Sequence, residues 1–483
     1  MKTKFSILIF FTLLFQIILI QFSTHHIETL DWDINSFLVM SQEFSRGNLP
    51  YEFQYENKPP ILFLIFHFFG IITGNSVLYI KIINDLLIFV LSIFLIFIAN
   101  LDEEFSFWNY LPSFIFIAFI SNVWFHPNYS EYISLLFIVF SYIFIKNKNL
   151  KYNLYFSGFL ISISTLINLG TQIFVFGILL INFLNSKNKL KSFINFSSGF
   201  LTPYFFILLI YFARGSLSEY IMATINIPLS YVQSDFSLSG SLAIYLNALE
   251  NYNVYIYFLT LVSISLTIFI FMNVVKGRQF KSNKSFDVLI LILCSVLFYL
   301  FAGKGYYHHL IYLLYFLALT FKWANTVISR NIIIGILLIS LFTVNINFVN
   351  NSISNLKNFE TLEKNYPLKT LSEEIINSDI NIGSVLSTNH ILILYYLNKQ
   401  NFSYIVHPAL FDYSEITSVL IDYNKIKPNE IEFLIDMKPS MIEGDFDFQY
   451  LKKDYKSKNT SNLNLFFLEY WGVDKSINIF IKK

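Results

Sequence analysis

Charge is what this sequence has least of. Only 13% of its 483 residues are Asp, Glu, Lys or Arg, about half the ~25% of a soluble globular chain. Hydrophobic residues make up 55% and aromatic residues 19%, which excludes a disordered chain. The net charge of +1 excludes a basic nucleic-acid binder and leaves no whole-molecule field to recruit an acidic partner. Cysteine is nearly absent. The single Cys294 excludes an intramolecular disulfide and a cysteine-based metal site. Arginine is also scarce beside abundant Phe, Ile, Asn and Lys, a codon-bias signature that carries no functional meaning.

What is there is apolar sequence in blocks. Runs of 18 or more nearly uncharged residues read as membrane spans. The blocks cover 5–22, 60–73, 77–98, 110–125, 131–145, 152–168, 170–184, 193–213, 254–273, 286–302, 308–321 and 331–348. Lys2 and Lys4 precede the first block as in a signal peptide, but no small-residue cleavage site follows, so the reading is an uncleaved first span. The positive-inside rule decides which blocks cross. If 60–73 stays on one side, Lys2, Lys4, Lys146, Lys148, Lys151, Lys187, Lys189, Lys191, Lys276, Arg278, Lys281, Lys284, Lys322 and Arg330 face the cytoplasm, and Arg46, Lys58, Arg214 and Lys304 face outward. If it crosses, every later loop flips and the bias reverses. Block 60–73 is also too short for a hydrocarbon core of ~30 Å at 1.5 Å per residue. The expectation is about 11 spans in residues 1–349, a cytoplasmic N-terminus, and helix 60–73 lying along the outer face. The pair 152–168 and 170–184 reads as two short helices split near Asn168 and Gly170, a hairpin that need not cross fully.

After Asn350 charge density rises and apolar runs shorten. Ile382–Ser387, Leu463–Leu468 and Ile477–Ile481 read as strands, and Leu371–Asn377 and Ile391–Asn398 as helices. Residues 350–483 are expected to form a small extracytoplasmic α/β domain. It carries no acid–base constellation in its sequence, so its expected role is to modulate or dock the acceptor.

The expected topology collects polar residues on the outer face. In the long first loop, 23–59, Ile34, Phe37, Leu38 and Phe44 recur at helical spacing, which suits an amphipathic helix lying in the interface. Asp31 and Asp33 stand before it. One of them has an ordinary reading as an N-cap; the second does not. Lys58-Pro59-Pro60 reads as a snorkelling lysine and helix punctuation. Glu131 heads the next span, where an acid complements the helix dipole. Lys304, Tyr306, Tyr307, His308 and His309 read as an interfacial aromatic belt. Taken singly, each piece has a bland account. Together they place acids, cations and histidines at one membrane surface.

These residues resemble the first outer loop of polytopic glycosyltransferases of the C superfamily, which include protein O-mannosyltransferases and lipid A aminoarabinose transferases. The shared pattern is the acidic pair Asp31 and Asp33, then Phe37, Gly47, Pro50-Tyr51 and Lys58-Pro59-Pro60. It continues with Glu131 and with Gly303, Lys304, Tyr306 and His309. The sequence departs from the family at Asn168, where many members carry a lysine. It departs also at Asn57, where an acid usually precedes the lysine and Glu56 stands one residue earlier, and at His308 in place of a proline.

The resemblance implies an all-α polytopic membrane domain that takes a hexosyl or pentosyl group from a polyprenyl-phosphate donor. Transfer would go, with inversion, to a glycan, lipid or protein acceptor at the outer face of the cell membrane. It implies Asp33 as general base, with Asp31 and Glu131 orienting the acceptor or sharing a divalent cation, Mg²⁺ or Mn²⁺ if carboxylates alone bind it. Lys58, Lys304, Tyr306 and His309 would hold donor and phosphate. Three other readings compete. A lipid-linked-sugar flippase or transporter should show internal repeats, and none is seen. An O-antigen ligase or polymerase concentrates its polar loop late in the membrane part. A non-catalytic anchor leaves the first loop unexplained.

The charge asymmetry generates the first prediction. A cysteine replacing Ser186 should react only with cytoplasmic thiol reagents, and one replacing Ser378 only with external ones. Matching sidedness at the two positions overturns the topology.

Overall fold

The structure is a computed structural model. It describes residues 2–28, 32–101, 107–120, 129–147, 150, 152–229, 254–275, 284–301, 307–326, 335, 346–377, 385–387, 390–408, 410, 433–435, 455–460 and 477–482. The chain divides into two compact units that interleave in sequence. The first comprises Met1–Thr24, Lys81–Leu208 and Asp235–Lys357; the second comprises His25–Ile80, Leu209–Ser234 and Asn358–Lys483. A break was expected between 349 and 350. Helix Ile346–Lys357 runs through that point. It is tied within the first unit by the Ser352 hydroxyl donating to Leu19 O (2.8 Å) and Asn355 Nδ2 donating to Phe22 O (2.7 Å).

The first unit is helical. Its elements include α1 (Lys2–Gln21) and, after α2 (Trp32–Ser45) and α3 (Pro60–Thr73) of the second unit, most of α4 (Val77–Asn100). There follow α5 (Leu111–Phe119), α6 (Ser130–Lys146), α7 (Asn153–Thr165), α8 (Gln172–Asn185) and most of α9 (Lys189–Arg214). Then come α10 (Val254–Val275), α11 (Lys284–Phe301), α12 (Ile311–Thr320) and α13 (Ile346–Lys357). Among the described residues, α4 and α9 are long and apolar enough to cross a membrane. Helix α9 exposes Leu201, Phe205, Phe206 and Phe212, a surface suited to lipid. The split expected near Asn168 is present: α7 and α8 have 13 and 14 residues and are joined by a tight turn in which Asn168 Oδ1 accepts from Gly170 N at 3.1 Å.

Two glycines set a close crossing of α7 and α9. A β-carbon on Gly158 of α7 would lie 2.0 Å from Phe196 O, and one on Gly199 of α9 would lie 1.9 Å from Tyr155 O. The backbones touch with no side chain between them, the small-residue packing of membrane helices. Charges sit at both ends of α6. Glu131 is in its first turn and Lys146 in its last, each complementing the helix dipole. Lys146 also forms an ion pair with buried Asp287 of α11.

In the second unit, α2 and α3 match the sequence reading closely, and α3 spans Pro60–Thr73 as expected. Pro59 is extended, Pro60 starts the helix, and Gly74 ends it at φ 63°. Fourteen residues give about 21 Å, short of a bilayer core. The amphipathic reading of α2 fails. Ile34, Phe37 and Leu38 are buried, but so are Asn35, Ser36, Gln42 and Glu43 on the polar face. The C-terminal chain covers that face: Gln42 Nε2 donates to Tyr395 O (2.8 Å) and Gln400 Nε2 donates to Glu43 Oε2 (2.7 Å).

Residues 358–483 supply helices α14 (Pro367–Ile376) and α15 (Leu392–Leu397) and four strands, β1 (Val385–Ser387), β2 (Phe433–Ile435), β3 (Tyr455–Thr460) and β4 (Ile477–Lys482). The sheet order is β1-β2-β4-β3, with β1 and β2 parallel and the other pairs antiparallel. The strand expected at Leu463–Leu468 lies outside the described residues. Two acids tie this portion to the loop segments. Glu28 accepts the first amide protons of α14, from Leu368 N (2.6 Å) and Lys369 N (2.8 Å). Glu363 accepts from the Ser76 hydroxyl (2.6 Å) and Val77 N (2.9 Å) at the start of α4.

The glycine crossing predicts that Ala at Gly158 or Gly199 forces α7 and α9 apart, an overpacking cost of about 1–3 kcal/mol or more. Detergent-solubilised Gly158→Ala should melt several degrees below wild type, while exposed Ser198→Ala should melt within a degree or two of it. Equal melting of Gly158→Ala and wild type would refute the close approach.

Candidate active site

The second unit builds one polar cluster from segments far apart in sequence. Helix α2 ends at Ser45, and Gly47 just beyond it lies in the left-handed region at φ 79°. Arg46 Nη1 and Asn48 Nδ2 close onto the buried Glu43 carboxylate at 2.6 and 3.1 Å. The loop then turns at Tyr51, which takes φ 74°, a rare and costly conformation for an aromatic residue. Several contacts hold it there. Tyr51 N donates to Gln54 O (3.0 Å), its hydroxyl donates to Lys58 O, and its ring stacks on Tyr211 at 6.2 Å. Segment 401–407 lies against this loop. The Tyr404 hydroxyl donates to Tyr51 O (2.8 Å), Val406 N donates to Tyr55 O (3.0 Å), and the Tyr404 and Tyr55 rings stack.

That pairing carries His407 to Asp33. Nε2 of His407 lies 2.6 Å from Asp33 Oδ1. A carboxylate only accepts, so Nε2 carries the proton. Asp33 stands in the first turn of α2, inside the helix rather than at the expected N-cap, where the positive end of the dipole favours the ionised carboxylate. Glu56 is fully buried, and its Oε2 accepts from Lys58 N at 2.8 Å. Burial pushes its carboxyl up to about 7. His407 and Lys58 oppose that rise and Asp33 adds to it. One acid beside a histidine and a second that titrates near neutrality are the parts of an acid–base site.

The first unit holds a second cluster, around Glu131. This residue is fully buried. Asn168 Nδ2 donates to its Oε1 (2.8 Å) and the Ser130 hydroxyl donates to its Oε2 (3.1 Å). His309 Nε2 lies 3.6 Å from Glu131 Oε1. His308 stacks face to face on Tyr129, with ring centroids 4.2 Å apart. One ligand atom each from Glu131, His308 and His309 falls within a 4.8 Å sphere of mutual distance, close enough to hold a metal ion.

Of the residues expected from sequence, Asp33 and Lys58 fall in the first cluster, and Glu131 and His309 in the second. Asp31, Lys304 and Tyr306 lie outside the described residues. Sequence reasoning missed three participants. His407 stands in Val406-His407-Pro408, which carries no motif. Glu56 was noted only as displaced from the family position. His308 was read as part of an interfacial belt and as a missing proline, not as a participant. Residues 350–483, whose sequence shows no acid–base constellation, place His407 against Asp33. The carboxylate set expected for a cation includes Asp31, outside the described residues; at Glu131 the chain turn at 307–310 delivers two histidines as further donors. Such a mixed donor set suits a borderline ion such as zinc or manganese better than magnesium.

The Glu56 environment predicts a pH-dependent stability. In the unfolded chain the carboxyl ionises near 4.5 and in the fold near 7, so the folded state holds its proton through that window. Stability therefore falls as pH rises from about 4.5 to 7, by up to roughly 3 kcal/mol for a shift of this size. Glu56→Gln removes the loss. The mutant should gain melting temperature relative to wild type between pH 5 and pH 8, and a pH-independent difference would contradict the assignment.

No family model matches the sequence, and no curated protein does. Solved structures match by shape. ArnT from Cupriavidus metallidurans bound to undecaprenyl phosphate aligns over 99% of this chain and 98% of its own, with TM-score 0.61 and 10% identity. Apo ArnT from the same organism aligns over the same shares, with TM-score 0.56 and 10% identity. The oligosaccharyltransferase of Archaeoglobus fulgidus, in complex with zinc and sulfate, covers 93% of this chain and 72% of its own at TM-score 0.45 and 10% identity, too distant to weigh. At these identities the likeness speaks to fold. Over nearly its whole length this chain has the fold of ArnT.

Proposed function

We propose that this chain is a multi-pass glycosyltransferase of the cell membrane. It moves a hexosyl or pentosyl group from a polyprenyl-phosphate donor to a hydroxyl on a glycan, lipid or protein acceptor. The observation that carries the reading is Asp33, a carboxylate at a helix start, paired with a histidine and set in a fold shared with ArnT, which in one structure is bound to undecaprenyl phosphate. About 11 spans, a cytoplasmic N-terminus and an extracytoplasmic residue 350–483 portion belong to the same reading.

The chemistry asks for three things. The acceptor hydroxyl must lose its proton as its oxygen attacks the anomeric carbon, and Asp33 takes that proton. Attack from the face opposite the phosphate inverts the carbon. The departing phosphate must meet positive charge, which Lys58, Lys304 and His309 supply, with Tyr306 lining the donor and Asp31 and Glu131 orienting the reactants. An apolar groove must take the lipid tail, and the Phe-rich spans provide one within the bilayer. Glu131, His308 and His309 fit a divalent cation by donor type and spacing, and a bound ion would supply further positive charge to phosphate.

Asp33→Asn tests this reading. The amide keeps the shape and does not accept a proton at neutral pH, so fold and chemistry separate in one mutant. A deletion strain should show loss of one surface-glycan modification and accumulation of its polyprenyl-phosphate sugar by mass analysis. Complementation with Asp33→Asn should give normal membrane expression and transfer reduced by at least about a hundredfold. Transfer near the wild-type rate removes Asp33 as the base.

A further inference from the structure

The sequence gives the acid–base chemistry to the first loop. The geometry adds a residue from the far end of the chain. We infer that His407 is the positioning residue of the base: its Nε2–H fixes the Asp33 carboxylate at the start of α2, so the reaction requires the segment beyond residue 400. This rests on the glycosyltransferase reading of Asp33 given above.

Three observations carry it. The first is the contact itself, 2.6 Å from His407 Nε2 to Asp33 Oδ1, between residues 374 apart in sequence. A charge-assisted bond of that length holds both partners in one orientation. The second is that His407 is buried and its segment is anchored on both sides. Asn401 Nδ2 donates to Ser387 O (2.9 Å) and Ile405 O (3.1 Å). Ile405 forms a parallel bridge with Tyr55, and Leu410 N donates back to His407 O at 3.1 Å. The imidazole is therefore placed by backbone pairing, not by a free side-chain choice. The third is Asp33's own setting. It lies in the first turn of its helix, where its backbone carbonyl accepts from the Ser36 hydroxyl (2.7 Å). That bond shapes the helix start and does not orient the carboxylate; the His407 contact does.

A general base must present its oxygen along the line of the departing proton, and a misplacement of about 1 Å can cost a hundredfold in rate. No bond is made or broken at His407. Its imidazole keeps its Nε2 proton throughout, while the acceptor proton passes to Asp33.

The test uses the full-length protein with two substitutions at His407. His407→Ala removes the donor. His407→Gln places an amide N–H at similar reach. Each is assayed in detergent-solubilised membranes with donor lipid extracted from the deletion strain, and melting temperature and monodispersity report the fold. His407→Ala is expected to lower kcat by about 10–100-fold with KM for the donor lipid changed by less than about threefold. His407→Gln should recover to within about fivefold of wild type. The double mutant Asp33→Asn/His407→Ala should be no slower than Asp33→Asn alone, because the two residues act as one unit. Wild-type turnover by His407→Ala beside an inactive Asp33→Asn overturns this inference and leaves the proposed function standing. So does a folded His407→Gln no faster than His407→Ala. Near wild-type turnover by Asp33→Asn overturns the base itself, and this inference with it.

Discussion

Two carboxylates at helix starts hold the second unit together. The first amide protons of any helix lack partners within it, and here each set is met by an acid from a distant segment. Glu28, just before the first-loop helix, takes those of α14. Glu363, just before α14, takes the Val77 amide proton and the Ser76 hydroxyl proton at the start of α4. The exchange is reciprocal: the loop caps the C-terminal helix, and the C-terminal portion caps the helix that follows the loop. Each carboxylate gains charge-assisted bonds that offset its desolvation, and each fixes a different stretch of chain. The Tyr366 hydroxyl adds a third tie, donating to His25 O at 2.5 Å. With 358–377 secured this way, segment 401–407 can lie along Tyr55 and bring His407 to Asp33. Removing either acid would strand donors at a helix start and loosen the frame that places the histidine.

How legible this was depends on the range of the interactions involved. Helix α3 was readable to the residue, since Pro59-Pro60 and Gly74 act locally through φ angles and missing amide protons. Strands 385–387 and 477–482 and helices 367–376 and 392–397 were found within a few residues, from short apolar runs and spacing. Helix α2 was found, but its setting was misread. Its polar residues look solvent-facing in sequence, and Tyr395 and Gln400, 353 and 357 residues away, cover Gln42 and Glu43. The same distance hid His407, because no local pattern announces a partner so remote. Resemblance to a family supplied Asp33, Lys58, Glu131 and His309, whose bland readings as cap, snorkel and belt were otherwise equal. Glu56 was masked by being one residue out of its family place.

Asn168 shows how a departure can be absorbed. Where the pattern that the first loop resembles often has a lysine, this chain has an amide that donates to Glu131 and, with its other end, turns the backbone into α8. The amide satisfies one carboxylate oxygen, and His309 Nε2 lies 3.6 Å from that same oxygen in a buried setting.

The distance between Asp33 and His407 also has a consequence in time. A chain grows from its N-terminus at about 5–20 residues per second, so Asp33 is made roughly 20–75 s before His407, given the 374 residues between them. During that interval the first loop exists with its carboxylate but without its imidazole partner, and the pair forms only once the 374 intervening residues have been made and segment 401–407 has paired with the loop.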